Sequence, residues 1–345
     1  MTPRGARAQF ELPQSLVTAS PLDASQRDEI VKWVQTHVKD LTHADPEKVR
    51  AARQALLNKS GQWSVPFRVG YSNALAKPLA DILASGGADA ERAHVNALVI
   101  AGEIASGESL TLIRRARSSQ TASVRFQAAG AAKRVFELTA SGKAAIQSDS
   151  PDLARTVEEM AKVVSTEGDP LVADAALGAV SAAAMIEAQR PAAMESLANA
   201  VNAFVRAQKG TPDEGLIEAL ARTGSEVRAI VQVGRPSTDA LKRAGDIGGS
   251  LLWHSITVVK AKSMSSDESG KRLRELYAQV AGEGAQLVTL SGKALDRTFN
   301  LEAPGLGDTL MKATNADDAS FVDTAQRMIE ALSRKPFEVA AARYR

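Results

Sequence analysis

The sequence predicts an all-α protein, on three observations. In the stretch Thr121 to Ala140, TASVRFQAAGAAKRVFELTA, residues Val124, Ala128, Ala131, Val135 and Leu138 form one stripe with a period of about 3.6. Hydrophobic residues make up 44% of the 345 and aromatics only 4%, so the core has to be Ala, Leu and Val packed between helices. No convincing run alternates apolar and polar residues as a half-buried strand does. The Thr121–Ala140 helix has a second, thin face of Gln127, Gly130 and Arg134. With Ala128, Ala129, Ala131 and Ala132 beside it, neighbours can approach closely on two sides. Such a helix cannot bury itself alone and needs partners in front and behind.

Taken in order, residues 1–22 carry Pro3, Pro13 and Pro21 with little periodicity and read as an extended arm. A first helix starts after Asp23 or Ser25 and places Ile30, Val34, Val38 and Leu41 on one face. Asp45-Pro46 opens a second, with Asp as N-cap and Pro at N1, and Val49, Ala52 and Leu56 follow at helical spacing. Residues 64–84 are helical, with a kink or restart at Pro78, and Gly86-Gly87 ends them. Residues 89–105 form a deep, largely apolar helix. Ser106 to Ser119 holds a short basic one before the Thr121–Ala140 stretch. Helices then start at Pro151, at Asp169-Pro170 and at Pro191. Gly210-Thr211-Pro212 is a turn before a helix at 213–223. Residues 237–264 and 267–298 read as longer helices, the first broken at Gly248-Gly249 and the second interrupted near Gly282 and Gly284. A last helix runs from Asp317 to Ser333, and the tail from Pro336 frays.

Asp45-Pro46 with Val49-Arg50, then Val124-Arg125 followed by alanines, then Asp169-Pro170 with Val172 and Ala175-Ala176-Leu177-Gly178, resemble the second helix of HEAT-like repeats. Val227-Arg228 is a weaker match, and Asn96 stands where a basic residue is expected. The resemblance covers roughly residues 40–230. It implies a right-handed α-solenoid of HEAT-like helical pairs over 23–234. A longer-helix bundle over 235–335 would cap the stack, since an open end exposes apolar surface; residues 336–345 are the tail.

The net charge of +2 does not advertise nucleic acid. No apolar run approaches the length of a spanning helix, and the absence of cysteine excludes disulfides and thiol catalysis. Met1 to Ala8 reads as the leader of a cytoplasmic protein. The alternative is a secreted protein with Ala6-Arg7-Ala8 as the end of a truncated signal peptide. His37, His43, His94 and His254 show no metal-ligand spacing. No phosphate loop or nucleophile motif is present, so no catalytic, metal or cofactor residue is assigned.

Charge distribution says more. Residues 111–145 hold seven basic residues and one acid, while 146–220 hold twelve acids and five basic residues. The plain reading is solvated faces with Arg–carboxylate contacts between neighbouring repeats. The functional reading is a basic strip of Arg114, Arg115, Arg117, Arg125 and Arg134 that receives an acidic partner. Trp63, between Gly61 and Pro66, reads as an exposed partner anchor. The expected function is a non-enzymatic scaffold that binds other proteins or extended peptides. The alternative is nucleic-acid binding through the basic strip, as in HEAT-like DNA glycosylases.

Overall fold

The computed structural model describes residues 11–208, 213–261, 264, 267–312 and 315–344; the leader at Met1 to Ala8 and the turn at Gly210-Thr211-Pro212 lie outside them. Of the described residues 76% are helical and none is in a strand. The chain divides into two compact units, Met1–Gln147 and Ser148–Arg345. The boundary expected at 234 falls inside the second.

The first unit contains α1 (Gln14–Val17), α2 (Ala24–His37), α3 (Pro46–Leu56), α4 (Val65–Ala84), α5 (Ala90–Ile104), α6 (Gly107–Ala116) and α7 (Ala122–Ala140). Caps fix the starts. Asp23 accepts from the Gln26 amide while the Gln26 side chain accepts from the Asp23 amide. Asp45 accepts from the Glu47 amide at 2.9 Å, with Pro46 following. Helix α4 runs unbroken through Pro78. Helices α2, α4 and α6 pack in succession, and so do α3, α5 and α7. Sequential helices α4 to α7 close the two rows on each other. The stripe predicted on α7 is buried, together with Ala129, Ala132 and Phe136.

The expected extended arm is corrected over its described part. Leu12, Leu16, Val17 and Leu22 are buried in the first unit's core and α1 forms there. The Ser64 amide donates to Val17 O at 2.8 Å and Lys59 Nζ to Leu12 O at 2.9 Å, so apolar burial and backbone bonds outweigh the prolines.

The second unit contains α8 (Pro151–Thr166), α9 (Pro170–Ala183), α10 (Arg190–Ala207), α11 (Glu214–Val233), α12 (Thr238–Lys260), α13 (Glu268–Leu295), α14 (Leu306–Met311) and α15 (Asn315–Leu332), followed by a short 3-10 turn at Ala341–Tyr344. Again helices pack on the next but one: α8, α10 and α12 in one row, which α15 extends, and α9, α11 and α13 in the other, with α14 against α13. Helix α11 continues ten residues beyond the expected stop at 223.

The glycine breaks expected in α12 and α13 are absent, and both helices are continuous. A Cβ on Gly248 would lie 2.7 Å from Gly284 O, and one on Gly284 would lie 2.9 Å from Gly248 O. The two backbones meet there, and the packing outweighs the roughly 1 kcal/mol each glycine costs a helix.

The tail does not fray over its described residues. Phe337 lies over Gly245 and Tyr344 over Gly249, and both rings are buried. Arg343 Nε donates to Asp246 Oδ1 at 2.6 Å, and the Tyr344 hydroxyl to the same oxygen at 2.7 Å.

Polar rungs tie neighbouring helices within a row. In the first unit Arg53 donates to Asn96 Oδ1 at 3.0 Å and Arg134 pairs with Glu103 at 2.7 Å. In the second, Arg222 pairs with Asp174, Arg228 with Glu283 at 2.8 Å and Arg272 with Glu218 at 2.9 Å, while Arg274 of α13 pairs with Asp318 of α15 at 2.8 Å, from one row to the other.

Candidate functional site

A groove of about 930 Å³ lies in the second unit, between α11, α13 and the segment Ala303–Met311. Its floor is the outer strip of α13: Glu275, Gln279, Gly282 and Gln286, spaced i, i+4, i+7 and i+11 over about 16 Å. One wall is α11 with Ala221 and Ser225. The other is the turn into α14, where a Cβ on Gly307 would sit 2.2 Å from Ala278 O, so that only glycine lets the wall rest on the floor. A Cβ on Gly282 would meet nothing within 4 Å, which leaves the floor low and open at its centre. The lining carries four carboxylates (Glu218, Glu275, Glu283, Asp308) and one guanidinium (Arg222). Arg222 is neutralised by Asp174. Glu283 is paired with Arg228, and Arg272 serves Glu214, Glu218 and Glu275 together, so the trough is acidic through Asp308 and the carboxylates that share Arg272. None of this was legible in the sequence, because the walls come from residues some 80 apart whose only local signal is small side chains at helical spacing.

The predicted basic residues lie in the first unit but do not form one strip. Arg125 donates to Ser119 O at 2.9 Å and Gln120 O at 3.1 Å, tying α7 to the loop before it. Arg134 lies about two and a half turns further on, on the opposite side of α7. It makes a two-pronged contact with Glu103, and that bond raises its pKa. Arg114 donates to Thr111 Oγ1 at 3.1 Å, and Arg114, Arg117 and Arg125 are all engaged within the chain. Arg115 is exposed at the edge of a cleft of about 230 Å³ formed by α4, α5, α6 and the start of α7.

Trp63 is a correction: it is only 4% exposed. The 3-10 turn Ser60–Gln62 folds it back onto Phe67 and Tyr71 of α4, with ring centroids 5.5 and 5.1 Å away. Its indole donates to Asn58 O at 2.9 Å. Arg68, buried and with its pKa pushed down to about 10 by that burial, lies 5.2 Å over its ring and donates to Ser60 O and Glu103 O. Trp63 is a core residue and no anchor.

His94 Nε2 is hydrogen-bonded to Ser85 O at 3.1 Å, beside the cleft. His254 shares a 2.8 Å hydrogen bond with the Tyr277 hydroxyl between α12 and α13. Burial drives His254 down to about 4, and pushes the Tyr277 phenol upward. Among the described residues no group of His, Asp and Glu has the arrangement of a metal site, and no helix is long and apolar enough to cross a membrane.

No protein-family model matches the chain, and no curated protein matches it. Two crystal structures of engineered proteins from the Northeast Structural Genomics Consortium are similar to it. One has 19% identity and a TM-score of 0.38, covering 75% of this chain and 97% of its own. The other has 17% identity and a TM-score of 0.28, covering 92% and 94%.

Proposed function

We propose that this chain is a non-enzymatic interaction scaffold, built of HEAT-like helical pairs stacked within each unit as in an α-solenoid, which docks a cationic peptide segment of another protein in the α11–α13 groove. The observation that carries the reading is the groove itself: an open trough about three helical turns long, walled on both sides and lined by an excess of carboxylates. The row packing and its rungs support the HEAT-like pairing, as do the buried valines of the Val-Arg pairs, Val49, Val124 and Val227.

The test is capture of partners from native cells by the wild type and by Gly282→Phe. The new ring enters open space, so the melting temperature is expected to stay level while the specific partners are lost. Partners should also weaken with rising salt. Capture of the same proteins in the same amounts by Gly282→Phe would overturn the reading.

A further inference from the structure

We infer that the cleft of the first unit is a binding site for an aliphatic carboxylate, with Arg115 as the residue that takes the carboxylate group. The site is independent of the groove in the second unit. Its walls are apolar: Ala80 and Leu83 from α4, Leu112 and Ala116 from α6, Val124 from α7. Leu112, Ala116 and Val124 are otherwise buried, so the cleft opens onto core side chains and not onto a solvated face. Its volume of about 230 Å³ suits a short branched chain.

Charge is concentrated at the rim. Every carboxylate on the four surrounding helices already has a partner: Asp81 with Lys77, Glu91 with Ser123, Glu108 with Ser72, and Glu103 and Glu137 with Arg134. The Arg115 guanidinium has none among the described residues; only its backbone carbonyl is used, by the Ser118 hydroxyl at 3.0 Å. Ser118, Ser119 and His94 line the same cleft. A planar guanidinium beside an apolar slot binds a carboxylate through two parallel hydrogen bonds while the aliphatic chain leaves water. Two sources share that chemistry: a free branched-chain carboxylic acid, or the carboxylate end of a peptide whose last residue is aliphatic.

The experiment titrates the full chain with isocaproate and with its neutral isostere isocaproamide. It is followed by the NMR methyl signals of Leu83, Leu112 and Val124. Isocaproate is expected to give a saturable shift at all three, and the amide none. Arg115 is exposed, so Arg115→Met keeps the fold; it is expected to weaken isocaproate at least about ten-fold, with Arg115→Lys in between. A peptide ending in free leucine, compared with its amidated form, separates the sources. Binding of the free-ended peptide assigns the site to a chain terminus; binding of isocaproate alone assigns it to a small acid. Equal binding of acid and amide, undiminished binding by Arg115→Met, or no saturable shift at millimolar ligand would overturn the proposal.

Discussion

At the scale of single residues, burial decides what each polar group can do. His254 sits between α12 and α13 with a pKa of about 4 against its ordinary 6.5. Below pH 6.5 the unfolded chain takes up a proton there and the folded chain does not, so acid favours unfolding. The loss opens near pH 6.5, grows by about 1.4 kcal/mol per pH unit and ends near pH 4. Urea unfolding of the wild type and of His254→Gln at pH 7 and pH 5 should show a smaller acid loss in the variant; identical losses would place the acid sensitivity elsewhere. The same burial explains why Trp63 was misread. A tryptophan between a glycine and a proline looks like a loop residue, and only the fold-back of the Ser60–Gln62 turn, invisible to periodicity, lays it on Tyr71. Asn96 is the converse case. Where a basic side chain was expected, an amide oxygen receives Arg53 from the neighbouring helix, and the rung survives with its donor on the other helix of the pair.

At the scale of elements, starts were legible and glycines were not. Asp45-Pro46 and Asp169-Pro170 open helices as read, because an N-cap acts on amides two or three residues away. A glycine inside a helix has two opposite meanings, a break or a close contact, and its neighbours in sequence do not distinguish them. Helix α7 shows this on both sides. Gly130, on the face read as needing a partner, has only Gln127 of its own helix within reach, at 3.8 Å. Contact is made instead by Ala131, against which a Cβ on Gly102 of α5 would come to 3.1 Å. Gly130→Ala is therefore expected to leave stability level or raise it by about 0.5–1 kcal/mol. Gly102→Ala is expected to lower it by about 1–3 kcal/mol. Thermal melts of the two variants check the pair, and equal shifts would mean that α5 and α7 are not in close contact there.

At the scale of the whole molecule, the all-α class was legible from composition and period, and the division into units was not. Sequence reading placed a boundary where helix length changes, at 234, whereas the long helices α12 and α13 extend the rows begun by α8 to α11. Length is a property of one helix; which row it joins depends on faces contributed by others. Each unit has its own apolar core. Fragments 1–147 and 148–345 are expected to give helical circular dichroism and cooperative urea unfolding separately. A fragment without a cooperative transition would show that its core is incomplete alone. The row packing also has a consequence for the order of events during synthesis. Most helices bury their faces against the next helix or the one after, so a chain leaving the ribosome can consolidate pair by pair with short loops to close. The exception is the tail. Arg343 reaches Asp246 across 97 residues and its carbonyl receives Asn202 across 141. Until those residues have emerged, the Asp246 carboxylate and the small-residue face of α12 stay open to water, so the second unit is not complete before the Ala341–Tyr344 turn has been made.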